Sequence, residues 1–213
     1  MQLTIDPQVV EELKAKDARL AQVIEHLPVP VRKQSPDLFE AIISSIVSQQ
    51  ISTRAAETIM QRMVDQIVKI TPESIISLEI DDIQAFGMSF RKAGYIAGVA
   101  RQVVAGKLNL DELSSLSDET VVKQLTKLPG IGPWTAEMLL IFSLGREDVL
   151  SISDLGIQRG VERVYGSGFV NQKSLLQLRE RFSPHGTAAG LYFWHVAGLS
   201  PTDWADLDQS LFR

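Results

Sequence analysis

Apolar positions in this chain repeat with the period of an α-helix along most of its length. The clearest stripe falls at positions i, i+3, i+4, i+7 and i+8, and its members are Phe39, Ile42, Ile43, Ile46 and Val47. This spacing places all five side chains on one face of a helix, where they can be buried together. Alternating apolar and polar residues, which would indicate strands, are scarce. The pattern therefore predicts an all-α protein.

Capping residues and prolines indicate where the helices begin. Ser35-Pro36 and Thr71-Pro72 each place a capping side chain before a proline that suits the first helical turn. Gly87 ends a short predicted helix. Further helices are predicted to begin after Ser52, Ser89, Ser117 and Gly132 and to cover 155–164, 172–182 and 186–198. The total is roughly ten helices.

The two ends of the chain are predicted to fold together. No stretch has the composition of a flexible linker, so nothing marks a clean domain boundary. The predicted helix over 186–198 is strongly apolar and needs a surface to pack on. The helix around Val9, Val10 and Leu13 is the candidate partner. Any second domain is therefore expected to be built from both ends of the chain.

Composition excludes several kinds of site and bears on the cellular compartment and the binding partner. The 213 residues include no cysteine, which excludes disulfides, thiolate metal sites and iron–sulfur clusters. The first residues lack a signal-peptide pattern, and no apolar run approaches the length of a membrane span. We therefore expect a cytoplasmic protein with no membrane partner. The net charge of −5 counts against nucleic-acid binding, although backbone amides can supply part of the grip on an anion.

The segment from Leu128 to Ala136, with the sequence LPGIGPWTA, carries the most information in the chain. Gly130 and Gly132 allow a tight turn between two helices and leave room for a close partner. The first amides of the following helix have no intrahelical partner, and the helix dipole favours an anion there. A phosphate fits this description. The alternative is an ordinary helical corner without a ligand.

Asp154 lies twenty residues beyond Trp134, in the segment SISDLG. One interpretation makes its side chain the N-cap of the next helix. The other makes it a reactive carboxylate, because a phosphate grip and one well-placed carboxylate suffice for chemistry on a nucleotide in DNA. The two roles are compatible, and both stay open.

Together these segments resemble the helix-hairpin-helix DNA glycosylases, and within them the DNA-3-methyladenine glycosylase II group. Four pieces carry the resemblance in the family's order: 39–52, which ends in SQQIS; 87–93; the hairpin with Asp154; and 182–189. The resemblance implies an all-α fold with an active-site cleft between two helical domains and no separate N-terminal β domain.

The same resemblance implies where the two domains divide. The first would be a six-helix domain over 36–146 that ends in the helix-hairpin-helix. The second would be a helical domain formed by 1–35 together with 147–213.

The implied activity is the removal of a damaged base by hydrolysis of its N-glycosidic bond. The base must first leave the stack, because its reacting atom is hidden in the duplex. Positive charge grows on the sugar during cleavage, and Asp154 matches the family's catalytic carboxylate. It would stabilise that charge directly or orient the attacking water. Ser151 departs from the family, whose members often have proline at this position.

Trp134, Met138 and His185 match positions of the family's base pocket. Relatives that also nick the strand carry lysine at the Trp134 position, and an indole cannot form the Schiff base that a lysine forms. Trp134 therefore implies a monofunctional enzyme, and its ring suits a cationic base such as 3-methyladenine. Met138 and His185 replace aromatic residues of the relatives, so the lesion preference stays open. The alternative for His185 is a partly exposed residue at a helix start.

Gln50 matches the side chain that relatives insert into the gap left by the flipped base, with Gln49 as a neighbouring candidate. The alternative is a glutamine that faces solvent between two helices. Arg91 and Lys92 either contact the DNA backbone or form a solvated face.

The hairpin is expected to hold a DNA phosphate through the amides of Gly130 and Gly132, with the hydroxyl of Thr135 as a further donor. The family often has a monovalent cation beside this turn, bound by backbone carbonyls. The matching carbonyls are those of Thr126, Leu128 and Ile131. We expect no required cofactor, with Na⁺ or K⁺ as a structural ion at most. The expected partner is double-stranded DNA with a damaged base, bound by a monomer that is nucleoid-associated if bacterial.

Three alternatives stay open. The first is a glycosylase of the same fold for an oxidised or deaminated base, which base competition would reveal. The second is a non-catalytic helix-hairpin-helix DNA-binding protein. Such a protein would need neither the carboxylate at 154 nor the indole at 134, and the acidic net charge disfavours it. The third is a helical protein with no role in nucleic-acid binding.

Overall fold

The computed structural model describes residues 2–212. Over this range the chain forms thirteen α-helices and one short antiparallel ribbon, in which β1 (Gln2–Leu3) pairs with β2 (Arg32–Lys33). The helices are α1 (Pro7–Lys16), α2 (Ala18–His26), α3 (Leu38–Ser48), α4 (Thr53–Ile67), α5 (Pro72–Ile76), α6 (Ile80–Ala85), α7 (Phe90–Val104), α8 (Asp118–Leu125), α9 (Pro133–Phe142), α10 (Leu155–Tyr165), α11 (Gln172–Phe182), α12 (Gly186–Gly198) and α13 (Pro201–Phe212). The predicted all-α class is confirmed.

The chain divides into two compact units. The terminal unit consists of the residues up to Gln34 and those from Gly145 onward, and the central unit runs from Ser35 to Leu144. The terminal unit contains the ribbon and six helices, α1, α2 and α10 to α13, whereas the central unit contains α3 to α9. No helix within residues 2–212 is both long and apolar enough to cross a membrane.

Local capping explains most helix starts. Ser52, Thr71, Ser89 and Ser117 each accept a backbone hydrogen bond at the start of the helix predicted for them. The start predicted at Ser35-Pro36 is wrong. The Ser35 amide donates instead to the carbonyl of Phe142, the chain is not helical up to Asp37, and Asp37 caps α3.

The central unit has one helix more than the six expected, because the segment after Thr71 forms two short helices. Helix α5 ends before Ser77, and α6 begins after its N-cap residue Glu79, whose amide donates to the carboxylate of Asp82. The predicted stripe on α3 forms part of the core, and its residues Phe39, Ile42, Ile43, Ile46 and Val47 are all buried.

The terminal unit is held together by the apolar helix α12. Its residues Tyr192 and Phe193 are fully buried in one cluster with Leu13 of α1, so the pairing expected from the sequence is present. Helix α10 approaches α12 closely at Gly160. A Cβ atom on Gly160 would lie only 2.1 Å from the carbonyl oxygen of Phe193. This contact requires glycine, since any side chain would force the two helices apart.

Replacing Gly160 with alanine is therefore expected to lower the free energy of unfolding by at least about 2 kcal/mol, because the α10–α12 packing must open. Gly98→Ala in α7 is the matched control. A Cβ there meets no atom within 4 Å, so alanine should raise the free energy of unfolding by about 0.5–1 kcal/mol. Urea denaturation measures both, and a Gly160→Ala protein as stable as the wild type would contradict this packing.

Candidate functional site

The hairpin between α8 and α9 is a tight turn anchored in the core of the central unit. The amide of Ile131 donates to the carbonyl of Leu128 at 3.1 Å, and both side chains are buried. Gly132 is the N-cap of α9 and has extended backbone angles, and Pro133 occupies the first turn. No side chain caps this helix. Its first amides are therefore presented at an exposed helix start, the arrangement that suits an anion.

The two hairpin glycines have different surroundings. Gly130 has φ of +87°, and a Cβ there would lie 2.6 Å from Cδ2 of Tyr95, so the ring of Tyr95 packs directly on the turn. Gly132 has φ of −92°, and a Cβ there would meet no protein atom within 4 Å. The turn itself needs Gly130, whereas Gly132 leaves open space in front of the hairpin.

A concavity of about 570 Å³ lies beside the hairpin within the central unit. Trp134 forms part of its wall with 48% of its surface exposed, and Met138 lines it as predicted. Thr135 also lines it but is only 9% exposed, which disfavours the expected contact of its hydroxyl with phosphate. The full lining is Ser45, Ser48, Gln49, Gln50, Arg91, Lys92, Tyr95, Gly130, Trp134, Thr135 and Met138. An exposed indole at a concave surface can receive a planar ring.

The two candidate wedge residues lie next to each other in the loop between α3 and α4, but their side chains have different surroundings. Gln50 is exposed and has φ of +57°, in the left-handed region that non-glycine residues rarely adopt. Gln49 is partly buried, and its Nε2 donates to the carbonyl oxygen of Gly130 at 2.6 Å. The structure thus leaves Gln50 as the candidate for insertion and ties Gln49 to the hairpin.

Lys92 points into the protein. Its Nζ donates to the carbonyl oxygens of Val47 at 2.8 Å and Gln49 at 2.7 Å. Burial lowers the pKa of the Lys92 amine, and the neighbouring charge of Arg91 lowers it further. Lys92 is therefore not a simple solvated residue, because these two carbonyls hold its ammonium group, and its contact with DNA stays a prediction. Arg91 is exposed.

Asp154 is a buried carboxylate in the terminal unit, with 8% of its surface exposed. Its Oδ1 accepts a hydrogen bond from the Ile157 amide at 2.8 Å, so the side chain caps α10. The same oxygen accepts a second hydrogen bond from the indole Nε1 of Trp194 at 2.7 Å. Gly156 makes this possible, since a Cβ there would lie 2.8 Å from the Trp194 ring. The N-cap interpretation is confirmed, and the two hydrogen bonds to Oδ1 set the orientation of the carboxylate.

Trp194, like Tyr95, belongs to the candidate site, and the sequence did not reveal it. The apolar character of α12 indicated a core residue, and the ring is indeed partly buried. Trp194 and Asp154 are forty positions apart, and no local pattern in the sequence predicts the hydrogen bond between them. Ser151, which stands where relatives often have proline, is fully buried, and its carbonyl accepts from the Asp154 amide at 3.1 Å.

His185 is a half-buried residue at the start of α12, as the alternative interpretation predicts. It lies in the terminal unit, where its Nε2 is 2.5 Å from Oε2 of Glu12. This hydrogen bond lowers the pKa of the Glu12 carboxyl. His185 also lines a concavity of about 290 Å³ with residues of the ribbon and of α12. Trp134 and Met138 lie in the central unit, and a base pocket shared by all three residues stays a prediction.

The carbonyls expected to bind a monovalent cation lie in the turn after α8. The Leu128 carbonyl already accepts the Ile131 amide, while Thr126 is the C-cap of α8. Within residues 2–212 no three His, Asp or Glu side chains are grouped to hold a metal ion. Any ion here would therefore depend on backbone oxygens such as these and that of Ile131.

Known proteins match this chain over most of its length. Residues 43–184 match the family model of HhH-GPD superfamily base excision DNA repair proteins. A putative DNA-3-methyladenine glycosylase of Bacillus subtilis, YfjP, is 30% identical over 166 residues, which are 74% of this chain but only 58% of that protein.

Two solved structures are similar over nearly the whole chain. A DNA-3-methyladenine glycosidase from Bacillus halodurans has a TM-score of 0.86 and 36% identity, with 100% of both chains covered. A 3-methyladenine DNA glycosylase of Schizosaccharomyces pombe, Mag1, crystallised with abasic DNA, has a TM-score of 0.72 and 28% identity over 91% of this chain and 98% of that one.

The two hairpin glycines should respond differently to alanine. Gly130→Ala is expected to lower the free energy of unfolding by about 2 kcal/mol or more, because its positive φ and the Tyr95 ring both oppose a Cβ. Gly132→Ala should change it by less than about 0.5 kcal/mol. Chemical denaturation of both variants checks this, and equal losses at the two positions would contradict the described turn.

Proposed function

The chain belongs to the HhH-GPD superfamily of base excision DNA repair proteins, and we propose that it is a monofunctional glycosylase that removes alkylated purines of the 3-methyladenine type from duplex DNA. The names of the similar proteins from Bacillus and fission yeast support the reaction class and the substrate class. The observation that carries the proposal is the Asp154 carboxylate, buried and held by two N–H donors at the start of α10.

The proposed reaction places this carboxylate beside the sugar of the flipped nucleotide. As the N-glycosidic bond breaks, its electron pair leaves with the base and neutralises the positive charge that an alkylated purine carries. Positive charge then grows on the sugar, where the Asp154 carboxylate stabilises it. The oxygen of a water molecule bonds to the anomeric carbon and releases a proton to solvent. The products are a free base and an abasic site.

Trp134 supports both the substrate class and the absence of strand cleavage. Its exposed indole offers an electron-rich face to a cationic base, an attraction of roughly 0.5–2 kcal/mol. An indole has no amine for a Schiff base, so the proposed enzyme leaves the abasic strand intact. Borohydride should therefore trap no covalent complex between the protein and its substrate.

The hairpin is the proposed grip on the DNA backbone. Its amides lie at an exposed helix start, and the open space at Gly132 admits a phosphate. Gln50 is the proposed wedge, because it is exposed on a loop beside the concavity that contains Trp134. We further propose that the protein acts as a monomer without a required cofactor, and that a Na⁺ or K⁺ ion at the hairpin would contribute structure only.

Asp154→Asn tests the catalytic assignment. Asparagine also caps helices and can still accept from Ile157 and Trp194, so the substitution removes the negative charge and keeps the fold. Single-turnover release of 3-methyladenine from duplex DNA is expected to fall at least about 100-fold. Equal release by the variant and the wild type would refute the assignment. The same assay on duplexes that contain uracil or 8-oxoguanine shows whether the enzyme prefers another lesion.

Gly132→Ala tests the grip. A methyl group in the open space before the hairpin would hold a phosphate away from the amides, while the free protein has room for it. The dissociation constant for a duplex with an abasic-site mimic should rise at least about tenfold, with unchanged thermal stability. Gly98→Ala is the control and should bind like the wild type. Full affinity in Gly132→Ala would place the DNA backbone elsewhere.

A further inference from the structure

Three hydrogen bonds connect segments of the central unit that are distant in sequence. Lys92 lies in the first turn of α7, and its amine donates to the carbonyls of Val47 and Gln49 at the end of α3. The Gln49 side chain in turn donates to the carbonyl of Gly130 in the hairpin. The loop that carries Gln50 is thus held on one side by a lysine and on the other by the hairpin.

A lysine suits this position for electrostatic reasons. The last carbonyls of a helix have no intrahelical partners and carry the negative end of the helix dipole. An ammonium group at 2.7 and 2.8 Å from two such oxygens satisfies both with charge-assisted bonds. Because Lys92 is partly buried, water competes less well for these bonds than at a free surface.

Gln50 needs such support, because its backbone conformation is unfavourable. At a φ of +57° the Cβ of a non-glycine residue lies too close to the backbone carbonyl oxygen. An untied loop would relax, and its exposed side chain would sample many directions. Strained residues persist where neighbouring contacts determine their conformation, and here the contacts are those of Gln49.

We propose that Lys92 is a positioning residue, which holds the loop of residues 48–51 so that Gln50 is presented at a constant place beside the hairpin. This inference rests on the proposed glycosylase function and goes beyond it. Lys92 contacts no DNA in this scheme and acts only through the loop. Gln49 has the companion role of joining the loop to Gly130, so the phosphate grip and the wedge form one rigid element.

Amide hydrogen exchange on the free protein tests the loop directly. Lys92→Met keeps the aliphatic stem and removes both donors, and amides of residues 48–52 should exchange at least about tenfold faster than in the wild type. Gln49→Leu removes the other tie and should have the same local effect, so the test survives if one variant does not fold. Lys107→Met is the matched control, since Lys107 is exposed beyond the end of α7. Unchanged exchange in both Lys92→Met and Gln49→Leu would overturn the inference.

A double-mutant cycle tests the role in catalysis. Lys92→Met should slow single-turnover excision from duplex DNA at least about tenfold. In a Gln50→Ala background the same substitution should cost less than about threefold, because the side chain that Lys92 positions is already absent. A merely structural role would give additive losses, and additive losses would overturn the inference. Full activity in Lys92→Met would overturn it as well.

These outcomes separate the inference from the proposed function. If the wild type releases no base from any damaged duplex, the glycosylase proposal fails, and the exchange data alone decide whether Lys92 holds the loop. If the wild type is active and Lys92→Met matches it, the function stands and the positioning role is lost.

Discussion

The candidate chemistry of the terminal unit depends on one oxygen atom, Oδ1 of Asp154. A buried carboxylate is costly unless N–H donors surround it, and here the Ile157 amide and the Trp194 indole both donate to this atom. The two donors belong to α10 and α12, so the direction of the carboxylate is set by how these helices pack. That packing passes through Gly160 against the backbone of Phe193. A contact deep in the core therefore also orients the group assigned to catalysis.

In the proposed complex, the central unit binds DNA phosphate through backbone amides, because an acidic protein cannot rely on the charge of its side chains. With a net charge of −5, the chain has no general excess of cations to attract DNA. The proposed grip consists of main-chain amides at the start of α9, whose position depends on Tyr95 packing against Gly130. Such a grip is local and neutral. It reconciles the acidic composition with a partner that is a polyanion.

Lys92 illustrates how a cation can serve an interface without touching the partner. Its ammonium group binds two carbonyls at the end of α3. In the proposed scheme this contact fixes the position of Gln50, although Lys92 is bonded to Val47 and Gln49 and not to Gln50. The strained backbone at Gln50 and the tie from Gln49 to Gly130 belong to the same arrangement. The concavity with Trp134 is bordered by all of these residues. The proposed wedge, base-binding surface and phosphate grip are therefore mechanically linked within one unit.

The sequence alone determined whatever depends on neighbours within a few residues. Apolar periodicity placed the stripe of α3 in the core, and the caps at Ser52, Ser89 and Asp154 follow from side chains that accept from amides three positions away. The Pro-Gly hairpin was recognisable for the same reason. Only the tertiary structure brought Trp194 to Asp154, Lys92 to the end of α3, and His185 to Glu12. These bonds join residues forty or more positions apart, and their formation depends on how helices pack, which no local pattern of residues records.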